Sequence, residues 1–163
     1  VEHLAGAGHR RIVHVDGGTA PSSAERREGY LEAMAALGLE ERSEILRGGL
    51  DEEDGARAAA ALLELPERPT AVTAFNDRCA AGLVQELQAR GIDVPGEVSV
   101  VGFDDSRRAR TCPVPLTTVD QNPRLMARLA LERAIGRARR DYLATDQVLV
   151  PRLVERDSVA RVG

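Results

Sequence analysis

The chain contains no lysine: all 22 of its basic residues are arginine. A phosphate-binding P-loop, a Schiff-base enzyme and a phospho-accepting receiver domain each depend on a lysine. The composition therefore disfavours all three of these function classes.

The chain also has no long apolar run, only two cysteines and no excess of positive charge. No stretch approaches the run of ~20 apolar residues that a membrane-spanning helix needs. The two cysteines, Cys79 and Cys112, do not form a disulfide framework and are expected to be free thiols, which fits a reducing cytoplasm. A net charge of -4 argues against a nucleic-acid groove on this segment. The 163 residues and their 43% apolar fraction suit one globular domain.

Three apolar stretches end in polar residues, at 12–15, 71–75 and 98–103, and helical patterns lie between them. Strands that are apolar along their length and separated by helices are typical of a parallel sheet covered on both faces. Ligands bind such sheets in the crevice beyond the carboxyl ends of the strands. The sequence therefore predicts a protein that binds a small polar molecule.

The order of elements predicts an α/β fold, a doubly wound parallel sheet flanked by helices. Helical spacing covers 25–37, 51–65 and 78–90, with a short strand at 45–46. Two prolines within 112–115 then predict a crossing segment. Beyond it we expect a strand at 116–119, a helix with an apolar face at 126–134, and strands near 148–150 and 153–154.

The pair Asp104-Asp105 follows a predicted strand and leaves three roles open: hydrogen bonding to a ligand, turn and cap chemistry, and metal or catalytic chemistry. Adjacent residues at a strand end point in different directions, so a shared metal needs further oxygen ligands. Only Asp16 and Asp77, on other loops, qualify. Hydrogen bonding to hydroxyl groups of a ligand is the favoured role.

Asn76-Asp77 and Arg26 have structural alternatives as well. Either residue of the pair can cap the next helix while the other faces the crevice, and Asn76 is favoured for the ligand. Arg26 is either a solvated arginine or a five-donor group aimed at the crevice.

Other candidate sites are poorly supported. The four acids at 51–54 are explained by the positive end of a helix dipole. His9 is expected to pack or hydrogen-bond at a helix-to-strand turn, and the histidines have no metal-ligand spacing. Ser22-Ser23 lacks a nucleophile elbow, and Gly17-Gly18 lacks the G-x-G-x-x-G pattern of dinucleotide sites.

Taken in order, the motifs resemble the effector-binding core of the lactose repressor/galactose repressor (LacI/GalR) family of bacterial transcription regulators. The resemblance covers essentially the whole chain. It is carried by Gly8-His9-Arg10-Arg11-Ile12, Arg26-x-x-Gly29-Tyr30, Pro69-Thr70-Ala71, Asn76-Asp77-x-x-Ala80-x-Gly82, Val94-Pro95, Ser99-Val100-Val101-Gly102-Phe103-Asp104-Asp105, Pro115-Leu116-Thr117-Thr118-Val119-x-Gln121 and Leu153-Val154-x-Arg156-x-Ser158.

The resemblance implies a type I periplasmic-binding-protein-like fold of two lobes, of which this chain is mainly the C-terminal lobe. Residues 1–112 would form that lobe, 113–146 would cross to the N-terminal lobe, and 147–163 would return. Because the chain opens at Val1, as if inside a helix, we expect it to be a piece of a longer protein whose DNA-binding headpiece is absent here.

By matching motifs, the resemblance implies an effector site without cofactor, metal or catalytic residues. Its contacts would be Arg26, Asn76, Asp104 and Gln121, with Ser22 and Leu50 less securely placed. Two departures leave the effector open. Leu50 stands where many sugar-binding relatives place an aromatic ring, and Asp16 adds a charge where relatives often have small residues.

The implied function is that of a cytoplasmic, non-enzymatic, dimeric regulator whose effector, of sugar or nucleobase type, controls operator DNA binding through the headpiece. The dimer contact would lie on the helix at 78–90 and its neighbours. A solute-binding protein of a transport system is the alternative with the same fold. The helix at 126–134 is expected to pack against its own lobe or against a second copy.

Overall fold

The computed structural model describes residues 1–139 and 146–162. Helices and strands alternate along the first two thirds of the chain, as predicted. The elements are α1 Glu2–Gly6, β1 Ile12–Val15, α2 Ser23–Ala36, β2 Glu44–Leu46, α3 Glu52–Leu63, β3 Ala71–Ala74, α4 Asp77–Ala89, β4 Ser99–Val101, α5 Arg107–Thr111, β5 Thr118–Asp120, α6 Pro123–Arg139 and β6 Arg152–Val154.

Strands β2, β1, β3 and β4 form one sheet in that order, and every pairing is parallel. All four residues of β1, including the polar His14, are buried, because helices cover the strand on both faces. The predicted doubly wound parallel sheet is confirmed. The carboxyl ends of β1, β3 and β4 meet at one edge, where their polar tips come together.

Two cores lie on opposite faces of the sheet. Ala71 and Val101 pack with α1 and α2, whereas Val72 and Val100 pack with α3 and α4. Neighbouring residues divide between the two cores because successive side chains of a strand point to opposite faces. Tyr30 fixes α2 to this sheet. Its hydroxyl donates a hydrogen bond to the carbonyl of Ile12 in β1 at 2.7 Å and accepts one from the amide of Glu44 in β2 at 2.9 Å.

Helices α3 and α4 approach each other very closely. A Cβ atom on Gly82 would lie 1.9 Å from the carbonyl oxygen of Glu52, and one on Gly55 would lie 2.0 Å from the carbonyl oxygen of Cys79. Only glycine fits at these two positions because the facing atoms belong to the backbone. The contact brings the start of α3 against α4 and so fixes the loop before α3.

The last third of the chain departs in part from the predictions. β5 pairs antiparallel with β6, but the strand predicted at 148–150 is wrong: Val148 and Val150 are 86% exposed and no strand partner lies among the described residues. Helix α5 was not predicted. The division of the chain at residues 113 and 147 stays a prediction.

Helix α6 buries none of its residues. Leu131 is 62% exposed, Met126 47% and Ile135 43%. Of these residues only Met126 belongs to the apolar face expected at 126–134, and since no described residue of α6 is buried, that face is not packed into this lobe. The alternative cover, a second copy, stays a prediction.

Candidate functional site

Arg26 occupies the centre of the candidate site, in the first turns of α2. Its guanidinium carbon lies 4.4 Å from the ring centroid of Phe75 and 3.7 Å from that of Phe103. It also donates a hydrogen bond to the carbonyl oxygen of Phe75. Cation–π attraction to two rings holds the group in one orientation. Burial lowers the pKa of Arg26, and Asp104 opposes that shift.

Asp104 and Gln121 complete this cluster. An Asp104 carboxylate oxygen lies 4.0 Å from Arg26 Nη2 and accepts a hydrogen bond from Gln121 Nε2 at 3.1 Å. Burial raises the pKa of Asp104, with the Arg26 charge opposing. Arg26, Asp104 and Gln121, which lie far apart in sequence, therefore meet at the carboxyl edge of the sheet.

Asn76 caps α4, and this differs from the predicted division of roles. Its Oδ1 accepts the Cys79 amide at 2.8 Å, and its Nδ2 donates to the Leu50 carbonyl at 3.0 Å. Asp77 does not face the crevice instead, because only 1% of it is exposed. Asn76 is partly exposed and its Oδ1 keeps a second lone pair for a ligand.

Asp77 joins three segments of the chain behind the site. Its carboxylate accepts the Thr118 hydroxyl at 2.5 Å and the Ser106 amide at 2.7 Å. Burial raises its pKa, and these hydrogen bonds oppose the shift. Sequence reasoning missed this role, although an acid two residues after the predicted strand at 71–75 and a threonine in the predicted strand at 116–119 were its visible signals.

Ser22 and Leu50 stand at the margin of the site. Ser22 precedes α2 with a φ of +62°, makes no side-chain cap bond, and is exposed. Leu50 is 47% exposed. The structure thus gives one cluster of Arg26, Asp104 and Gln121, and a neighbouring pair of Asn76 and Leu50. Phe75 joins them, because it holds Arg26 and directly precedes Asn76.

Asp105 faces away from the site and binds two arginines. Its carboxylate accepts from Arg156 and, at 2.8 Å, from Arg110. Arg156 also donates to the carbonyl of Leu116 at 2.7 Å, which ties the end of the chain to the segment just before β5. These hydrogen bonds, which the sequence analysis did not find, lower the pKa of Asp105 against the effect of burial.

Within the described ranges, no group of three or more His, Cys, Asp or Glu residues is arranged to hold a metal ion. His9 hydrogen-bonds Thr70 Oγ1 at 2.9 Å and the carbonyl of Ala160 at 3.1 Å, which confirms its predicted place at the turn between α1 and β1. No described helix is long and apolar enough to cross a membrane.

Several known proteins are similar to this chain in sequence and in fold. The sequence profile of the periplasmic binding protein-like domain matches residues 1–159. The HTH-type transcriptional regulator GalR of Escherichia coli K12 is 38% identical over 161 residues, which are 97% of this chain and 47% of the relative. The crystal structure of a LacI transcriptional regulator from a Rhodococcus species is 45% identical with a TM-score of 0.93, over 99% of this chain and 60% of that one. The lac repressor dimer bound to operator and the anti-inducer ONPF is 26% identical with a TM-score of 0.87, over 98% of this chain and 56% of that one.

The chain therefore belongs to the family of periplasmic binding protein-like domains. Within that class, the similarity to GalR and to LacI regulators confirms the resemblance to the LacI/GalR effector-binding core. The chain spans about half the length of the curated relatives it matches.

Proposed function

We propose that the chain is part of the effector-sensing domain of a cytoplasmic, non-enzymatic bacterial transcription regulator, and that the effector binds at Arg26, Asp104 and Gln121. The observation that carries the proposal is the Arg26 guanidinium, held between two aromatic rings and 4.0 Å from Asp104. Such a fixed group keeps its geometry without a ligand and loses little conformational entropy when one binds.

The cluster suits a ligand that carries neighbouring hydroxyl groups or a polar base edge. Arg26 offers donors, the Asp104 carboxylate offers acceptors, and the Gln121 carboxamide offers both. Asn76, with Leu50 and Ser22 at the margin, would contact the rest of the ligand. An effector of sugar or nucleobase type fits this arrangement.

The effector would act by favouring one orientation of two lobes, and a dimer would pass that change to paired DNA-binding headpieces. A coupling of ~1–3 kcal/mol between the sites suffices for a switch. We place the dimer contact on α4 and its neighbours. The exposed side of α4 is polar, so this contact would rest on hydrogen bonds; it includes Arg78, Gln85 and Gln88.

The relatives favour a regulator over the solute-binding protein of a transport system. GalR carries the description of an HTH-type transcriptional regulator, and the lac repressor structure holds operator DNA and an anti-inducer together. We propose that the full-length protein likewise binds both an effector and operator DNA, with the effector at the carboxyl edge of the sheet.

The test is calorimetry on the full-length protein with a panel of sugars and nucleobases. Asp104→Ala removes the acceptor for the ligand and leaves Arg26 without its neighbouring charge, so it should weaken effector binding by ~1–3 kcal/mol, roughly 5- to 150-fold. Glu28→Ala is the matched control, because Glu28 is an exposed acid on the same helix as Arg26. Normal binding by Asp104→Ala would show that the site lies elsewhere.

A further inference from the structure

The turn after β4 has an unusual backbone conformation at its two aspartates. Asp104 has a φ of +112° and Asp105 a φ of +47°. Residues other than glycine rarely take a positive φ, and the value at Asp104 lies beyond the left-handed region of roughly +50° to +70°. A conformation of this kind is unfavourable and persists only where the surrounding structure holds it. Other residues must therefore hold this turn.

Asp77 holds both ends of the turn. Its backbone amide donates to the carbonyl of Phe103 at 2.9 Å, and its carboxylate accepts the amide of Ser106 at 2.7 Å. These two contacts lie on either side of the two aspartates, so they fix the distance that the turn must span. Gly102 permits the approach, because a Cβ atom there would collide with the Asp77 carboxylate. Asp77 is buried, so water does not compete for its hydrogen bonds.

Arg156 holds the turn from a second direction, through the side chain of Asp105. Its guanidinium donates to one carboxylate oxygen of Asp105 and also to the carbonyl of Leu116. The Asp105 side chain is 10% exposed and that of Arg156 is 17% exposed. Arg110 donates to the other carboxylate oxygen, but its side chain is 61% exposed. Because exposed ion pairs contribute little, Arg156 is the partner that fixes Asp105.

Strand β5 supports the same backbone from the side. The amide of Asp104 donates to the carbonyl of Val119 at 2.9 Å. The Thr118 hydroxyl donates to the Asp77 carboxylate at 2.5 Å and accepts the amide of Asp105 at 3.4 Å. The backbone of both aspartates is therefore tied to β5 as well as to Asp77.

These contacts determine where the Asp104 side chain points. Its carboxylate lies 4.0 Å from Arg26 Nη2 and accepts a hydrogen bond from Gln121 at 3.1 Å. Because φ sets the direction of Cβ relative to the preceding peptide, a relaxed backbone at residue 104 would turn the carboxylate away from these partners. A carboxylate that is already oriented loses less conformational entropy when a ligand binds to it.

We propose that Asp77 and Arg156 are positioning residues of the effector site: they hold the turn at 104–105 in an unfavourable conformation that directs the Asp104 carboxylate toward the ligand. This inference rests on the proposed function, because it takes Asp104 as a ligand contact, and it adds the residues that act through Asp104. Effector binding then depends on Asp77 and Arg156 although neither contacts the effector.

Urea unfolding of the full-length protein tests the unfavourable backbone without any ligand. Both Asp104→Gly and Asp104→Ala remove the carboxylate, but only glycine takes a φ of +112° without steric cost. Asp104→Gly should therefore have the higher urea midpoint. Asp157, an exposed aspartate outside the positive-φ region, is the control: there the glycine variant should have the lower midpoint, because glycine gives the unfolded chain more freedom. A lower midpoint for Asp104→Gly than for Asp104→Ala would overturn the inference.

Calorimetry on the full-length protein tests the positioning role with five probes: galactose, glucose, ribose, hypoxanthine and adenine. For the probe that binds the wild type most tightly, Arg156→Gln and Asp77→Asn should each weaken binding roughly tenfold. Arg110→Gln, which removes an exposed arginine from the same Asp105 carboxylate, is the matched control and should stay within about twofold. In an Asp104→Ala background, Arg156→Gln should have no further effect, because it acts through Asp104.

The outcomes separate this inference from the proposed function. Normal binding by Arg156→Gln and Asp77→Asn, with weak binding by Asp104→Ala, would overturn the inference and keep the proposed site. Normal binding by Asp104→Ala would overturn the proposed site itself. An equal effect of Arg156→Gln with and without the Asp104 carboxylate would make Arg156 a general support of the fold and overturn its positioning role. A crystal structure of Arg156→Gln decides without a probe: a rotated Asp104 carboxylate would support the inference, and an unchanged one beside Arg26 would overturn it.

Discussion

His14 is expected to make the protein less stable in acid. The residue lies in β1 and is 4% exposed. Its Nδ1 bonds Thr73 Oγ1 at 3.0 Å, its ring stacks on Tyr30 with centroids 5.4 Å apart, and its Nε2 has no partner among the described residues. Burial lowers the pKa of His14 to about 4, and the charge of Asp16 opposes that shift.

The direction and size of the effect follow from this pKa. In the unfolded chain the imidazole has a pKa of ~6.5, so between pH 6.5 and 4 the unfolded state binds more protons than the folded state. Stability from the neutral imidazole is complete above pH ~6.5 and is lost as the pH falls toward 4. The difference between the two pKa values corresponds to about 3 kcal/mol.

Urea unfolding at a series of pH values between 7 and 4 measures this loss. His14→Phe keeps a ring against Tyr30 but cannot titrate, so its free energy of unfolding should fall less with acid than that of the wild type, by about 3 kcal/mol across the range. His3→Gln, which removes a histidine from α1, is the control and should follow the wild type. An identical acid dependence in wild type and His14→Phe would refute the reasoning.

Three further predictions concern the packing around the site. Gly82→Ala should lower the free energy of unfolding, measured in urea, by at least ~1–3 kcal/mol. Gly29→Ala is the control and should not destabilise the protein, because a Cβ atom there meets open space. Equal effects of the two substitutions would contradict the close contact between α3 and α4. Asp77→Ala should cost ~1–3 kcal/mol because the buried Thr118 hydroxyl loses its acceptor, and a neutral change would contradict that role. Burial raises the pKa of Cys79 to about 12, so iodoacetamide at pH 8 should modify it only after unfolding; rapid labelling of folded protein would oppose this.

The sequence predicted the parallel sheet well because its strands are short and apolar on both faces. Such runs have few alternatives when helices of regular spacing separate them. The sequence did not predict α5, because its five residues Arg107–Thr111 contain three arginines and no apolar residues at helical spacing. The strand predicted at 148–150 was wrong because the apolar run Val148-Leu149-Val150 forms a strand only if another strand pairs with it, and none of the described strands does.

The candidate site was predicted in outline. The order of motifs indicated that Arg26, Asp104 and Gln121 belong together, and the structure places them in one cluster. The two rings around Arg26 could not be anticipated, because Phe75 and Phe103 end apolar strands and look like ordinary core residues. Whether such a ring faces the core or a guanidinium depends on the packing of α2, which local pattern does not reveal.

Asp104 and Asp105 show why adjacent identical residues can have unrelated roles. Both have positive φ, +112° and +47°, so the backbone turns sharply between the two side chains. Asp104 then faces Arg26 at the proposed effector site, whereas Asp105 binds Arg156 behind it. Since Arg156 also donates to the carbonyl of Leu116, it links Asp105, the residue after the proposed ligand contact, to the segment that leads into β5. A ligand that hydrogen-bonds Asp104 would therefore act one residue away from the link between Asp105 and Arg156.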